Sequence, residues 1–163
     1  MDEIILALDQ STQVTGIAIF VNGQLESWEH FSPEGEMFAR IIKLKSKIKN
    51  KITELMFRGK LLVAIEEIQL QNIPGSSKDT NVATFKKLAY VQALLLELCA
   101  EMAVPYEIVP SSTWKSALGI KGKNRTEQKR DAQRYIKEEY GIKVIQDECD
   151  AICIGKYLVS RTN

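Results

Sequence analysis

The chain has 163 residues, 45% hydrophobic and 26% charged, with a formal net charge of +1. This suits a single soluble globular domain, residues 1–163, with a full core. A membrane span is excluded because Glu97 and Glu101 interrupt the longest apolar candidate, Val91 to Val104. Met1-Asp2-Glu3 lacks the basic start of a secretory signal. Cys99, Cys149 and Cys153 are an odd number without zinc-type spacing. The expectation is a reduced cytoplasmic protein with buried thiols and no zinc site.

Glu3 to Asp9 is predicted as a first strand, because the apolar run Ile4-Ile5-Leu6-Ala7-Leu8 ends on a polar residue. Val14 to Val21 is a second strand, with Ile17, Ile19 and Val21 alternating. Asn22-Gly23 signals a hairpin into a third, Gln24 to His30. Glu36 to Arg58 is predicted as a long helix with one apolar stripe, stopped by Gly59 as a C′ glycine. Leu61 to Glu66 is the next strand, and Gln69 to Thr80, with Pro74-Gly75-Ser76-Ser77, is a loop. Asn81 to Ala103 reads as a second long helix and Tyr106 to Val109 as a strand. Thr113 to Leu118 is a short helix, and Gly119 to Asn124 a basic loop. Helices over Thr126 to Tyr140 and Asp147 to Ser160 close the chain. The order βββ-α-β-α-β-α-α-α gives a mixed five-stranded α/β sheet, an antiparallel meander followed by parallel strands, with helices on its faces.

The small net charge hides segregation. Arg40, Lys43, Lys45, Lys47, Lys49, Lys51, Arg58 and Lys60 share their stretch with one acid, Glu54. Lys115, Lys121, Lys123, Arg125, Lys129, Arg130, Arg134 and Lys137 face only Glu127 and Asp131. Two such stretches fit either a bound polyanion or two solvated helix faces.

Four acids occupy informative places. Asp9 ends strand one, before the small polar turn Gln10-Ser11-Thr12 and Thr15-Gly16. Glu66 ends the run Leu61-Leu62-Val63-Ala64-Ile65. Neighbouring strand side chains point to opposite faces, so only one of Glu66 and Glu67 can face Asp9, and Glu66 directly follows the apolar run. Asp147 and Asp150, three apart on a helix, share a face. Converging acids repel unless a divalent cation neutralises them. Asp9 could equally cap its own turn, both glutamates could be solvated, and Asp147 could be an N-cap with Asp150 at N3.

In order and spacing, these motifs resemble the RuvC family of Holliday junction resolvases, within the RNase H-like superfamily. The resemblance runs through Ile5-Leu6-Ala7-Leu8-Asp9, Thr15-Gly16-Ile17-Ala18, Ala64-Ile65-Glu66-Glu67, Asn72, Leu88 and Gln92. It continues through Val104-Pro105, Val109-Pro110, Trp114-Lys115, Gly119 and Gly122 to Asp147-x-x-Asp150-Ala151. It implies an endonuclease that resolves branched DNA with two Mg²⁺ ions, replaceable by Mn²⁺, held by Asp9, Glu66, Asp147 and Asp150, with Asp9 bridging. It implies nicks with 5′-phosphate and 3′-hydroxyl ends. Lys115 and Arg125 would face DNA, and Lys121 and Lys123 would touch phosphates. It also implies a two-fold homodimer, with the Asn81 to Ala103 helix (Phe85, Leu88, Val91, Leu95, Leu98) as a candidate interface. The alternatives are another RNase H-like nuclease, such as an RNA–DNA hybrid hydrolase, or a non-catalytic branched-DNA-binding module.

Two departures stand out. The family's Asp-Pro-Gly is Asp9-Gln10-Ser11 here, and Ile68-Gln69-Leu70 replaces an aromatic that wedges into the junction. The second predicts relaxed sequence specificity and leaves coupling to a helicase open. The compact chain and divergent motifs suggest a phage-type or Gram-positive member.

Overall fold

The computed structural model describes residues 1–70 and 72–162. Gln71, part of the predicted Gln69–Thr80 loop, and Asn163 lie outside the described residues. The elements are β1 (Asp2–Asp9), β2 (Thr15–Val21), β3 (Gln24–Phe31), α1 (Met37–Arg58), β4 (Gly59–Glu66), α2 (Lys78–Glu101), β5 (Tyr106–Val109), α3 (Ser111–Ala117), α4 (Arg125–Tyr140) and α5 (Gln146–Thr162). They form a five-stranded sheet in the order β3-β2-β1-β4-β5. β1 to β3 pair antiparallel, and β4 runs parallel to both β1 and β5. This is the mixed sheet flanked by helices that the element order predicts. Among the described residues no helix is long and apolar enough to cross a membrane.

Residue size decides which helices each face of the sheet receives. Ile4, Leu6 and Leu8 of β1, Ile17 and Ile19 of β2, and Leu61, Val63 and Ile65 of β4 make one face. These branched side chains pack on Ile41, Leu44, Ile48, Ile52 and Leu55 of α1 and on Val91, Leu95, Leu98 and Cys99 of α2. At the centre of the other face stand the small residues Ala7, Ala18 and Ala64. They let α5 lie close across β1 and β2. Where α5 crosses, a Cβ on Gly155 would overlap the Phe20 ring. Period-2 alternation therefore places Asp9 and Glu66 on the α5 face, in line with Ala7 and Ala64.

Gly16 brings the start of α5 to the sheet. It pairs with Asp9 across the β1–β2 ladder, and a Cβ there would overlap the Asp147 carbonyl. Gly16→Ala is expected to push the α5 N-terminus off the sheet. The cost is about 3 kcal/mol, at the upper end for overpacking, and would appear as a lowered denaturation midpoint.

Several local expectations need correction. Gly59 is no left-handed stop. Its φ of −178° is extended, and it opens β4. Glycine is needed there because a Cβ would overlap the Asp2 carbonyl. The second long helix starts earlier than predicted, at Lys78, because the Ser77 hydroxyl accepts the Thr80 N–H at 3.1 Å. Asp147 is not an N-cap. α5 already begins at Gln146, and Glu148 caps it by accepting the Ile145 N–H at 3.2 Å. Val91, Leu95 and Leu98, proposed for a dimer interface, are buried in this chain's own core. The Asn22-Gly23 hairpin is as expected, with φ of 50° and 78° at its two central residues.

The first basic stretch also differs from a polyanion face. On α1, Lys45 pairs with Glu97 and Glu101, Lys49 with Glu101, Lys47 and Lys51 with Glu29, and Arg58 with Glu26. These lysines fasten α1 to α2 and β3 in surface ion pairs of small individual worth.

Candidate active site

Register places the acids. Leu8 of β1 is opposite Ile65 of β4, so the next residues, Asp9 and Glu66, emerge side by side at the strand ends. The two carboxyls are within hydrogen-bonding reach of each other. Asp147 and Asp150, on the first turns of α5, are near enough for their charges to act on Asp9. All four acids thus gather at one end of the sheet, while Glu67 is exposed.

The electrostatics follow from this crowding. The carboxylates stay partly open to solvent but are surrounded by protein on most sides. Burial first, and then the charges of Glu66, Asp150 and Asp147, hold Asp9 well above the usual carboxylate range. The Glu66 carboxyl, within hydrogen-bonding reach, acts in the same direction. Glu66 is also raised, mainly by burial, while Asp9, Lys115, Trp114 and Arg125 each favour its charged form. Burial, and next the Glu66 charge, push Asp150 up to about 7. Without a cation, protons relieve the repulsion.

Side chains outside the predicted set hold these acids. The Gln10 side-chain amide donates to the Glu66 carbonyl at 2.6 Å and accepts the Glu66 N–H at 3.2 Å. It continues the β1–β4 ladder with a side chain after the backbone of β1 has turned away. The turn itself closes on Thr15, whose hydroxyl accepts the Ser11 N–H at 3.2 Å. Gln146 donates to Asp150 at 2.8 Å, and Gln133 of α4 reaches Gln146 at 3.5 Å. Glu148 takes His30 of β3 at 2.8 Å, tying the α5 start to the far side of the sheet. Gln10 was visible only as part of a turn, because nothing in the sequence says that its amide returns to β4. Gln10→Leu keeps the volume but leaves the Glu66 N–H and carbonyl without this partner. It is expected to cost about 3 kcal/mol, read in chemical denaturation.

The second basic stretch meets the acids from α3 and α4. Trp114 is buried, and its indole N–H lacks a partner in strict hydrogen-bond geometry, although Glu66 is the acceptor it influences. Lys115 lies over the Trp114 ring at 5.3 Å and donates to Gln128 at 3.2 Å. Its charge favours the ionised forms of Glu66 and Asp150. Gln128 also donates to the Gly122 carbonyl at 3.1 Å, and Asn124 caps α4 by accepting the Glu127 N–H at 2.9 Å. This fastens the loop that carries Lys121 and Lys123, both exposed. Neither lysine makes an ion pair among the described residues. Arg125 follows at the first position of α4.

The donor set is made of hard carboxylate oxygens, which suits Mg²⁺ or Mn²⁺ rather than zinc. The crowding that raises Asp9, Glu66 and Asp150 suits a divalent cation equally well. Among the described residues, no three His, Cys, Asp or Glu side chains already stand in ion-holding geometry.

No protein-family model matches the sequence, and no curated protein matches it at a significant level. Solved structures do match. Thermus thermophilus RuvC in complex with a Holliday junction substrate has a TM-score of 0.72 at 16% identity, covering 99% of this chain and 97% of that one. Another Thermus thermophilus RuvC structure gives 0.71 at 17%, covering 98% and 96%. The yeast mitochondrial Holliday junction resolvase gives 0.54 at 14%, covering 95% and 77%. From end to end, the chain has the RNase H-like fold of the RuvC Holliday junction resolvases.

Proposed function

We propose that this protein is a Mg²⁺-dependent endonuclease that resolves four-way DNA junctions. The observation that carries this reading is the delivery of four acids by two adjacent strand ends and one helix start, with the basic α3–α4 segment beside them. Full-length likeness of fold to junction resolvases adds to it. Asp9, Glu66, Asp147 and Asp150 would hold the ions. When bound, two divalent cations supply an activated water and charge stabilisation for the leaving 3′ oxygen.

The chain's own residues then bind and orient. Lys121, Lys123 and Arg125 take phosphates along the arm that leads to the acids. Lys115, held over Trp114 and by Gln128, offers its charge at the scissile phosphate. Leu70 is exposed where the family carries a wedging aromatic. An aliphatic tip stacks poorly on bases, so selection rests on branched shape more than on sequence.

A second copy of the chain is the proposed partner. Phe38 and Ile42 of α1 and Tyr90 of α2 are exposed together, the two rings 5.8 Å apart, in a groove completed by Ile41, Ala93 and Leu94. This surface, rather than the Val91-Leu95-Leu98 stripe, is free to pair two copies through apolar contact.

Offering the protein a four-way junction, a linear duplex and an RNA–DNA hybrid in Mg²⁺ tests the reading. The expected outcome is paired nicks in the junction, with 5′-phosphate ends, and little cutting of the other two. Preferential cutting of the hybrid would assign the site to a different reaction.

A further inference from the structure

We infer that Trp114 is a positioning residue for Glu66: its indole N–H donates to the ionised Glu66 carboxylate and aims it at the cation. The inference rests on the metal-dependent function proposed above and adds a residue to that site. Strand register delivers Trp114. Val109, the last residue of β5, pairs with Glu66, and the Glu67 N–H donates to the Val109 carbonyl at 2.9 Å. Pro110 then turns the chain into α3, where the Thr113 N–H donates to the Pro110 carbonyl at 3.0 Å. One helical turn past Pro110, Trp114 comes back to the end of β4. It is 1% exposed and belongs to the core on the α5 face, with Ala64 and Val109. Ala64 and Glu66, two apart on a strand, share that face.

The chemistry of the site selects tryptophan. A buried indole N–H ordinarily has an acceptor, and leaving it without one is costly. A phenylalanine or leucine in this core would avoid that cost. The Trp114 Nε1 is buried, and the acceptor it influences is Glu66. In this structure the N–H lies outside strict hydrogen-bond geometry, with Asp9 engaging the same carboxyl. An ionised Asp9 has no proton to offer Glu66, which leaves the indole N–H as the donor. Gln10 does not replace it, because its amide holds the Glu66 peptide N–H and carbonyl rather than the carboxyl. The same ring carries Lys115, whose Nζ is 5.3 Å from the ring centroid and donates to Gln128 at 3.2 Å. Trp114 therefore offers its edge to a proposed metal ligand and its face to a proposed phosphate-binding cation, which fixes the two relative to each other.

The test uses the full chain carrying Trp28→Phe, which leaves Trp114 as its one remaining tryptophan. Biosynthetic replacement of that tryptophan by its benzothiophene isostere puts sulfur in place of the N–H and keeps the ring and its volume. Mn²⁺ binding is measured without DNA, from the electron paramagnetic resonance of the free ion. The isostere and Trp114→Phe are both expected to weaken Mn²⁺ binding on the order of tenfold, the scale of one lost hydrogen bond to a charged group. For the isostere, junction affinity without divalent cation should be unchanged, since the ring beneath Lys115 is kept, and the metal-free melting temperature should not fall. A packing role alone would leave its Mn²⁺ affinity at the value of the Trp28→Phe parent. In the ¹⁵N–¹H spectrum of that parent, the single indole cross-peak should move upfield on Glu66→Gln, as the acceptor loses its charge. Equal Mn²⁺ binding by parent and isostere overturns the inference, as does an indole cross-peak that Glu66→Gln leaves in place. A parent that binds Mn²⁺ but cuts no junction overturns the proposed function alone. A parent that binds no Mn²⁺ overturns the metal site and this inference together.

Discussion

Asp9→Asn is expected to abolish junction cleavage while leaving junction affinity within a fewfold of wild type. Glu66, Asp150 and Asp147 all lie near enough to Asp9 for their charges to act on it. Asparagine preserves its volume but supplies a poorer, neutral ligand. A loss on the order of a thousandfold corresponds to about 4 kcal/mol of transition-state stabilisation at 1.36 kcal/mol per decade. Lys115, Lys121, Lys123 and Arg125, proposed to take phosphates, are untouched, so binding is expected to persist. Gel-shift and single-turnover cleavage assays on one synthetic junction measure both. Asparagine cannot ionise, so the loss of metal-free stability as pH rises from 5 to 8 should be smaller in the variant than in wild type. A protein that still nicks after this change, or that loses binding along with cleavage, does not use Asp9 as argued.

The second large effect is a pH-dependent response to Mg²⁺. Asp150 titrates near 7 in the folded protein, against an ordinary value of 3.8, and Asp9 and Glu66 are also raised. Between about pH 4 and 7, the folded protein holds protons that the unfolded chain releases. Stability contributed by these groups is therefore full below the unfolded value and lost as pH rises through the folded one. Metal-free protein should be less stable at pH 8 than at pH 5 from this source. Mg²⁺ replaces the protons where they are absent. At a hundredfold excess over its dissociation constant it should raise the melting temperature by roughly 5–10 °C at pH 8, and much less at pH 5. Differential scanning calorimetry with and without Mg²⁺ at the two pH values measures this. An equal shift at both would place the bound ion away from the acids.

The sheet was legible because its signals are local. Alternation in Ile17, Ile19 and Val21, the Asn22-Gly23 turn, and the apolar runs ending on Asp9 and Glu66 each depend on neighbouring residues. What escaped is long-range. The α1 lysines look free in sequence, yet their partners Glu29, Glu97 and Glu101 arrive from β3 and α2. The stripe of Val91, Leu95 and Leu98 reads equally as interface or core, and only the packing of α2 on the sheet shows it to be core. Gly59 does end α1, but the contact that requires a glycine there, with Asp2, is distant in sequence. Gln10 was missed for the same reason, being 56 residues from the peptide it holds. The convergence of four acids could be anticipated from their placement. The mutual influence of Asp9 and Glu66, and the glutamines that fix Glu66 and Asp150, required the three-dimensional arrangement.

The central claim is that these acids form a centre for divalent cations. Anomalous diffraction from crystals of the protein grown with Mn²⁺ and junction DNA tests it most directly. The account predicts two Mn²⁺ peaks among the carboxylates of Asp9, Glu66, Asp147 and Asp150, both absent in Asp9→Asn crystals. Mn²⁺ bound elsewhere, with those four carboxylates carrying no peak, would contradict it.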